Sequence, residues 1–181
     1  MLKNPVIEEI LKIEGGFVNH PDDAGGATRW GITEKTARSY GYTCDMKDFT
    51  RENAYTILEK NYWYQPGFDK VNLISPLLAM ELCDTGTNMG PSVGIKWLQR
   101  WLNTYNRKGT DYNDIAIDGK MGPATLNALA EFLKVRGKEG ETVMLTSLNC
   151  SQGQRYLELA EGKPGNESFI YGWMRARVHI D

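Results

Sequence analysis

Apolar residues recur at helical spacing along most of this chain. Ile7, Ile10 and Leu11 fall at i, i+3 and i+4, and Glu14 takes the i+7 position of the same stripe. Asn4-Pro5 reads as N-cap and first helical residue, and Gly15-Gly16 as the stop. Residues 17–32 break the period. They are rich in Gly, Asp, Asn and Pro, which predicts a loop or small hairpin. Thr33-Glu34 opens a short helix to about Ser39. Thr50 caps a helix over Arg51 to Tyr64, which ends in Tyr62-Trp63-Tyr64 before Pro66-Gly67. Ser75-Pro76 starts another, with Leu77, Leu78, Met80, Leu82 and Cys83 mostly core and Asp84, Thr87 and Asn88 near its end. Pro91 restarts the chain in a stripe of Val93, Trp97, Leu98, Trp101, Leu102 and Tyr105, whose aromatics read as core.

The second half continues in helices. Residues 106–122 form a polar connection with a turn at Asp118-Gly119. A helix follows Gly122-Pro123, with Leu126, Leu129, Phe132 and Leu133 on its apolar side. The run KVRGKEGE reads as a charged turn. A long pattern from Val143 to about Ala160 bends at Gly153, and Glu167 to Val178 is the last helix. The expected fold is mostly α, with at most one small β-hairpin near residues 17–32.

At 181 residues, with 41% hydrophobic and 24% charged, the chain is an ordinary globular protein of one medium domain or two small fused ones. A net charge of −2 argues against a general nucleic-acid binder. Glu8, Glu9 and Lys12 interrupt the N-terminal apolar residues, so no signal peptide is expected, and no stretch is apolar enough to insert in a membrane. Synthesis in the cytoplasm follows as the expectation. Cys44, Cys83 and Cys150 lack metal or disulfide spacing and read as reduced, mostly buried thiols.

The chemistry concentrates in EGGFVNHPDDAGGATRWGIT, residues 14–33. A glutamate on an apolar stripe is partly desolvated, which raises its pKa and suits a general acid. The bland alternative is a helix-terminal Glu14 paired with an arginine. Asp22 and Asp23 follow on the next turn, with Thr28 beyond them. Two carboxylates flanking a glycosidic bond are the usual equipment of sugar hydrolysis. A metal site at His20, Asp22 and Asp23 has one histidine and no second ligand cluster, so neither metal nor cofactor is expected. His179, near the C-terminus, reads as solvated.

This stretch resembles the signature of the glycoside hydrolase family 108 muramidases, which include phage endolysins and bacterial muramidases of protein or toxin secretion. Residues 63–90 resemble the second half of the family's catalytic region. IDGKMGPATLNAL, residues 117–129, resembles the peptidoglycan-binding region that accompanies it. The resemblance implies a lysozyme-like helical fold, with a catalytic region over 1–91 and a peptidoglycan-binding region over 92–181 packed as one body. It implies cleavage of the β-1,4 bond between N-acetylmuramic acid and N-acetylglucosamine. Glu14 maps onto the catalytic acid, Asp23 onto the second aspartate and Thr28 onto the threonine, with His20 standing where the family commonly has an aspartate. Trp30, Trp63, Tyr64 and Asn88 are candidate sugar contacts. The implied partner is the peptidoglycan glycan strand, reached in the periplasm or wall by a holin or another export route, with the enzyme a monomer. An inactive wall-binding secretion accessory and a lytic transglycosylase are the alternatives.

Overall fold

Side chains that reach back to free amides set the helix starts. In the computed structural model, which describes residues 3–13, 16–18 and 27–178, Asn4 Oδ1 accepts from the amides of Val6 (3.0 Å) and Ile7 (3.4 Å) and opens α1 (Pro5–Ile13). Thr33 Oγ1 accepts from Thr36 N at 3.2 Å and opens α2 (Glu34–Ser39). Thr50 Oγ1 does the same from Asn53 N, also at 3.2 Å, for α3 (Arg51–Glu59). Each such cap is worth about 1 kcal/mol.

The chain divides into two compact units, one through Gln65 and one from Pro66. In the first, α1 lies on α3. Ile7 and Leu11 are buried, as are Ala54, Tyr55, Ile57 and Leu58. Tyr55 Oη accepts from Asn4 N (2.6 Å) and donates to Glu59 Oε1 (2.9 Å). Arg51 grips both oxygens of Glu8, at 3.2 and 2.7 Å. Three two-residue strands, β1 (Phe17–Val18), β2 (Thr28–Arg29) and β3 (Ile32–Thr33), form one antiparallel sheet in that order. Phe17 pairs with Arg29, Val18 with Thr28, Thr28 with Thr33 and Arg29 with Ile32. Trp30-Gly31 is the β2–β3 turn, and both residues have positive φ (54° and 74°) as a type I′ hairpin requires.

The second unit is helical. It comprises α4 (Phe68–Asn72), α5 (Pro76–Met89), α6 (Pro91–Tyr105), α7 (Pro123–Gly162) and α8 (Glu167–Arg177). Phe68, Leu78, Leu82, Leu98, Leu102, Leu129, Met144 and Leu148 fill its core. The connection between α6 and α7 has little apolar surface and is held by polar contacts. Buried Gln99 turns its Nε2 to Asp118 Oδ1 (2.9 Å), Thr125 Oγ1 (3.0 Å) and Lys120 O (3.1 Å), while its Oε1 accepts from Gly119 N (2.9 Å). The hydrogen bonds from Gln99 and from the Lys120 amide hold the Asp118 carboxyl below its ordinary range.

The mostly helical expectation agrees with the structure, and several details differ. The run KVRGKEGE does hold a sharp change of direction: two helical segments of α7 meet there at Gly137, whose φ of 60° and ψ of −147° are non-helical. Gly153 makes no bend. A Cβ there would lie 3.4 Å from Met174 Cε, so this glycine serves the close packing of α8. α3 stops at Glu59, and Lys60 to Tyr64 continue as a π-helical turn. Leu77, expected in the core, is exposed. Only Cys83 is buried among the thiols; Cys44 and Cys150 are exposed.

Gly119 carries the clearest backbone demand. Its φ is 72°, and a Cβ would meet Ser92 Oγ at 2.2 Å and the immobile Ser92 carbonyl at 3.1 Å. Gly119→Ala is expected to lose about 2–3 kcal/mol, read as a lower urea midpoint at unchanged m-value. An unchanged midpoint would refute this account of the turn.

Candidate active site

Glu14 and Asp23, with His20, Asp22 and His179, lie outside the described residues. The structure describes the frame around the first four. α1 ends at Ile13, one residue before Glu14. The β1–β2 pairing sets Val18 opposite Thr28. Thr28 is half-buried on the central strand, with backbone partners on both sides.

Trp30 follows two residues later. A bulky residue at positive φ costs about 1 kcal/mol, and such outliers persist only where the surroundings hold them. Among the described residues its buried indole Nε1 has no hydrogen-bond partner. A second pair sits on the π-helical turn. Trp63 is 8% exposed and packs inward, while Tyr64 presents its ring at 51%. Asn88 lies in the last turn of α5, in the other unit. It is exposed, and its Nδ2 donates to Asp84 O at 2.9 Å.

The second unit also holds a buried polar seam. On α5, Glu81 receives hydrogen bonds from Asn149 and Thr85. One turn on, Asp84 Oδ1 accepts from Arg177 Nη1 of α8 at 2.5 Å, and Gln152 Nε2 of α7 approaches Asp84 Oδ2 at 3.5 Å. Gln152 Oε1 and Tyr156 Oη are buried with no partner among the described residues. Tyr156 stacks against Trp173 of α8 at 5.3 Å, and burial pushes its phenol to about 12. Burial first, and then the Asp84 charge, push the Glu81 carboxyl up to about 7. Tyr156 reads from the sequence as one more member of the long helical pattern, and Asn149 and Gln152 share its face at i, i+3, i+7 spacing. The clue was that polar residues held those places.

Residues 7–90 match the family described as Glycosyl hydrolase 108. This part of the chain belongs to that family. Residues 93–178 match a second family, described as "Predicted Peptidoglycan domain". The protein is thus a lysozyme-type glycoside hydrolase acting on peptidoglycan. The solved structure of SagA from Brucella abortus is similar to it, with a TM-score of 0.60 over 94% of this chain and 86% of that one at 24% identity, which shows a common fold. No curated protein matches the sequence. Among the described residues, no helix of this glycosyl hydrolase is long and apolar enough to cross a membrane.

The seam gives a pH dependence with a definite sign. The folded chain keeps a proton on Glu81 up to about pH 7, whereas the unfolded chain releases it near 4.5. Between those values the folded state binds the extra proton, so stability falls as pH rises, by at most about 1.4 kcal/mol per unit and about 3 kcal/mol in all. Urea midpoints between pH 5 and 8 should show this fall in the wild type and a flatter profile in Glu81→Gln. An equally steep profile in the variant would remove Glu81 as the cause.

Proposed function

We propose that this enzyme is an N-acetylmuramidase, cleaving the β-1,4 bond between N-acetylmuramic acid and N-acetylglucosamine. Glu14 donates a proton to the leaving oxygen as the glycosidic bond breaks. Asp23 is the second carboxylate, and water supplies the hydroxyl that ends on the muramic acid. Thr28 orients that water or the substrate, and Trp30, Tyr64 and Asn88 contact sugar, while Trp63, buried behind Tyr64, supports it. The observation that carries this reading is the family match over residues 7–90, which contains the whole EGG…DDAGGAT run. The strand pairing supports it, because it fixes Thr28 on the central strand opposite Val18.

In this reading residues 1–91 cut the wall and residues 92–181 hold it. The enzyme works as a monomer in the periplasm, after a holin or another export route delivers it, in host lysis or in protein secretion through the wall.

The test is mass spectrometry of peptidoglycan digested by the wild type and by Glu14→Gln. The wild type is expected to release fragments with reducing muramic acid ends, and the variant to be slower by about 10²–10⁴-fold with an unchanged urea midpoint. Anhydro ends, or full activity in the variant, would overturn the assignment.

A further inference from the structure

A groove of about 390 Å³ opens between α6 and α7. That volume is in the range of small-molecule sites. It lies wholly inside residues 93–178. One wall is aromatic. Trp97 and Trp101 are four residues apart on α6, and both are half-buried rather than sealed in the core, as their place in the stripe had led us to expect.

The orientation of Trp101 is fixed. Its Nε1 donates to Ser151 Oγ at 2.9 Å. Its ring stacks on Tyr105 at 5.5 Å, which in turn stacks on Phe132 at 5.7 Å. A ring already held this way loses little entropy when a ligand lies on it. The rim is cationic. Arg100 is exposed and has no carboxylate partner among the described residues, whereas Arg155 pairs with Glu158 at 3.1 Å. The groove thus carries a net positive charge on a chain of net charge −2.

We propose that this groove binds one muropeptide unit of the wall, with a sugar ring against the Trp97–Trp101 wall and a stem-peptide carboxylate on the Arg100 guanidinium. An indole face suits the C–H face of a pyranose, and a guanidinium suits a carboxylate. Among the described lining residues the one carboxylate, Glu158, is already paired with Arg155, which leaves the Arg100 guanidinium for the ligand. The placement rests on the reading of the substrate as peptidoglycan.

The probe is the soluble disaccharide N-acetylglucosaminyl-N-acetylmuramic acid carrying its tetrapeptide, which lacks the bond the enzyme is proposed to cleave. Titration of the full chain should follow quenching of tryptophan fluorescence. Arg100→Ala is expected to weaken binding at least about fivefold, and Lys134→Ala, which removes an exposed charge elsewhere, to leave it unchanged. The disaccharide alone and the peptide alone should each bind more weakly than the linked unit.

Exposed Cys150 lines the groove and gives a second test. In a Cys44→Ser chain a maleimide should add once, at Cys150, because Cys83 is buried and its thiol is pushed up to about 12. The alkylated chain should bind the muropeptide as poorly as Arg100→Ala. Wild-type affinity in both the alkylated chain and Arg100→Ala would overturn the groove. Should the enzyme release no reducing muramic ends while Arg100→Ala still loses affinity, the groove stands and the muramidase reading falls.

Discussion

The cost of burying charge governs how the helices of the 66–181 unit are arranged. Glu81 and Asp84 lie one turn apart on α5, turned toward α7 and α8 rather than toward water. Two carboxylates so placed cannot both stay charged without compensation. Asp84 is compensated by Arg177, and Glu81 by holding its proton to about pH 7. That pairing requires α8 to return across α7, and the stacking of Tyr156 on Trp173 follows from the same crossing. Removing Arg177 alone would leave a desolvated aspartate, whereas neutralising Glu81 removes a burden.

The seam also bears on how cutting and holding are organised. α5 lies within the glycosyl hydrolase match, and α7 and α8 within the peptidoglycan-domain match. All three belong to one compact unit. The junction of the two families at residues 90–93 therefore falls inside one compact unit. Gly90 takes φ 91° there, and Pro91 begins α6 immediately, leaving no linker.

Most helix starts were legible because they depend on chemistry local to the sequence. Asn4-Pro5, Thr33, Thr50 and Ser75-Pro76 cap the helices they seemed to cap. Helix interruptions were harder to read. A glycine in a helical pattern can mark a kink, a close contact or nothing, and only the neighbours decide. Gly137 breaks α7 while Gly153 makes room for Met174. The small sheet was expected only as a hairpin, because a two-residue strand such as β1 has too few positions to show a period. The polar seam was hidden for a different reason: its members come from three helices, and their contacts span up to 93 residues.

The candidate site divides along similar lines. Thr28 and Trp30 are two residues apart in the sequence, Thr28 on β2 and Trp30 in the turn that follows it. Trp63 and Tyr64 could not be told apart, since a helix that tightens or widens by one residue moves every later side chain by about 100° around its axis. The π turn does this at residues 60–64. It packs Trp63 inward and leaves Tyr64 outside, so of the two adjacent aromatics only Tyr64 offers a sugar an accessible face. The aromatics of α6 reverse that case. Their helical stripe placed them in the core, yet the stripe is wider than the surface α5 and α7 cover, and the uncovered edge with its unpaired Arg100 forms the groove. An apolar stripe too wide for its neighbours is thus a sequence-level sign of a binding face, and here it sits in the part of the chain matched to a peptidoglycan domain.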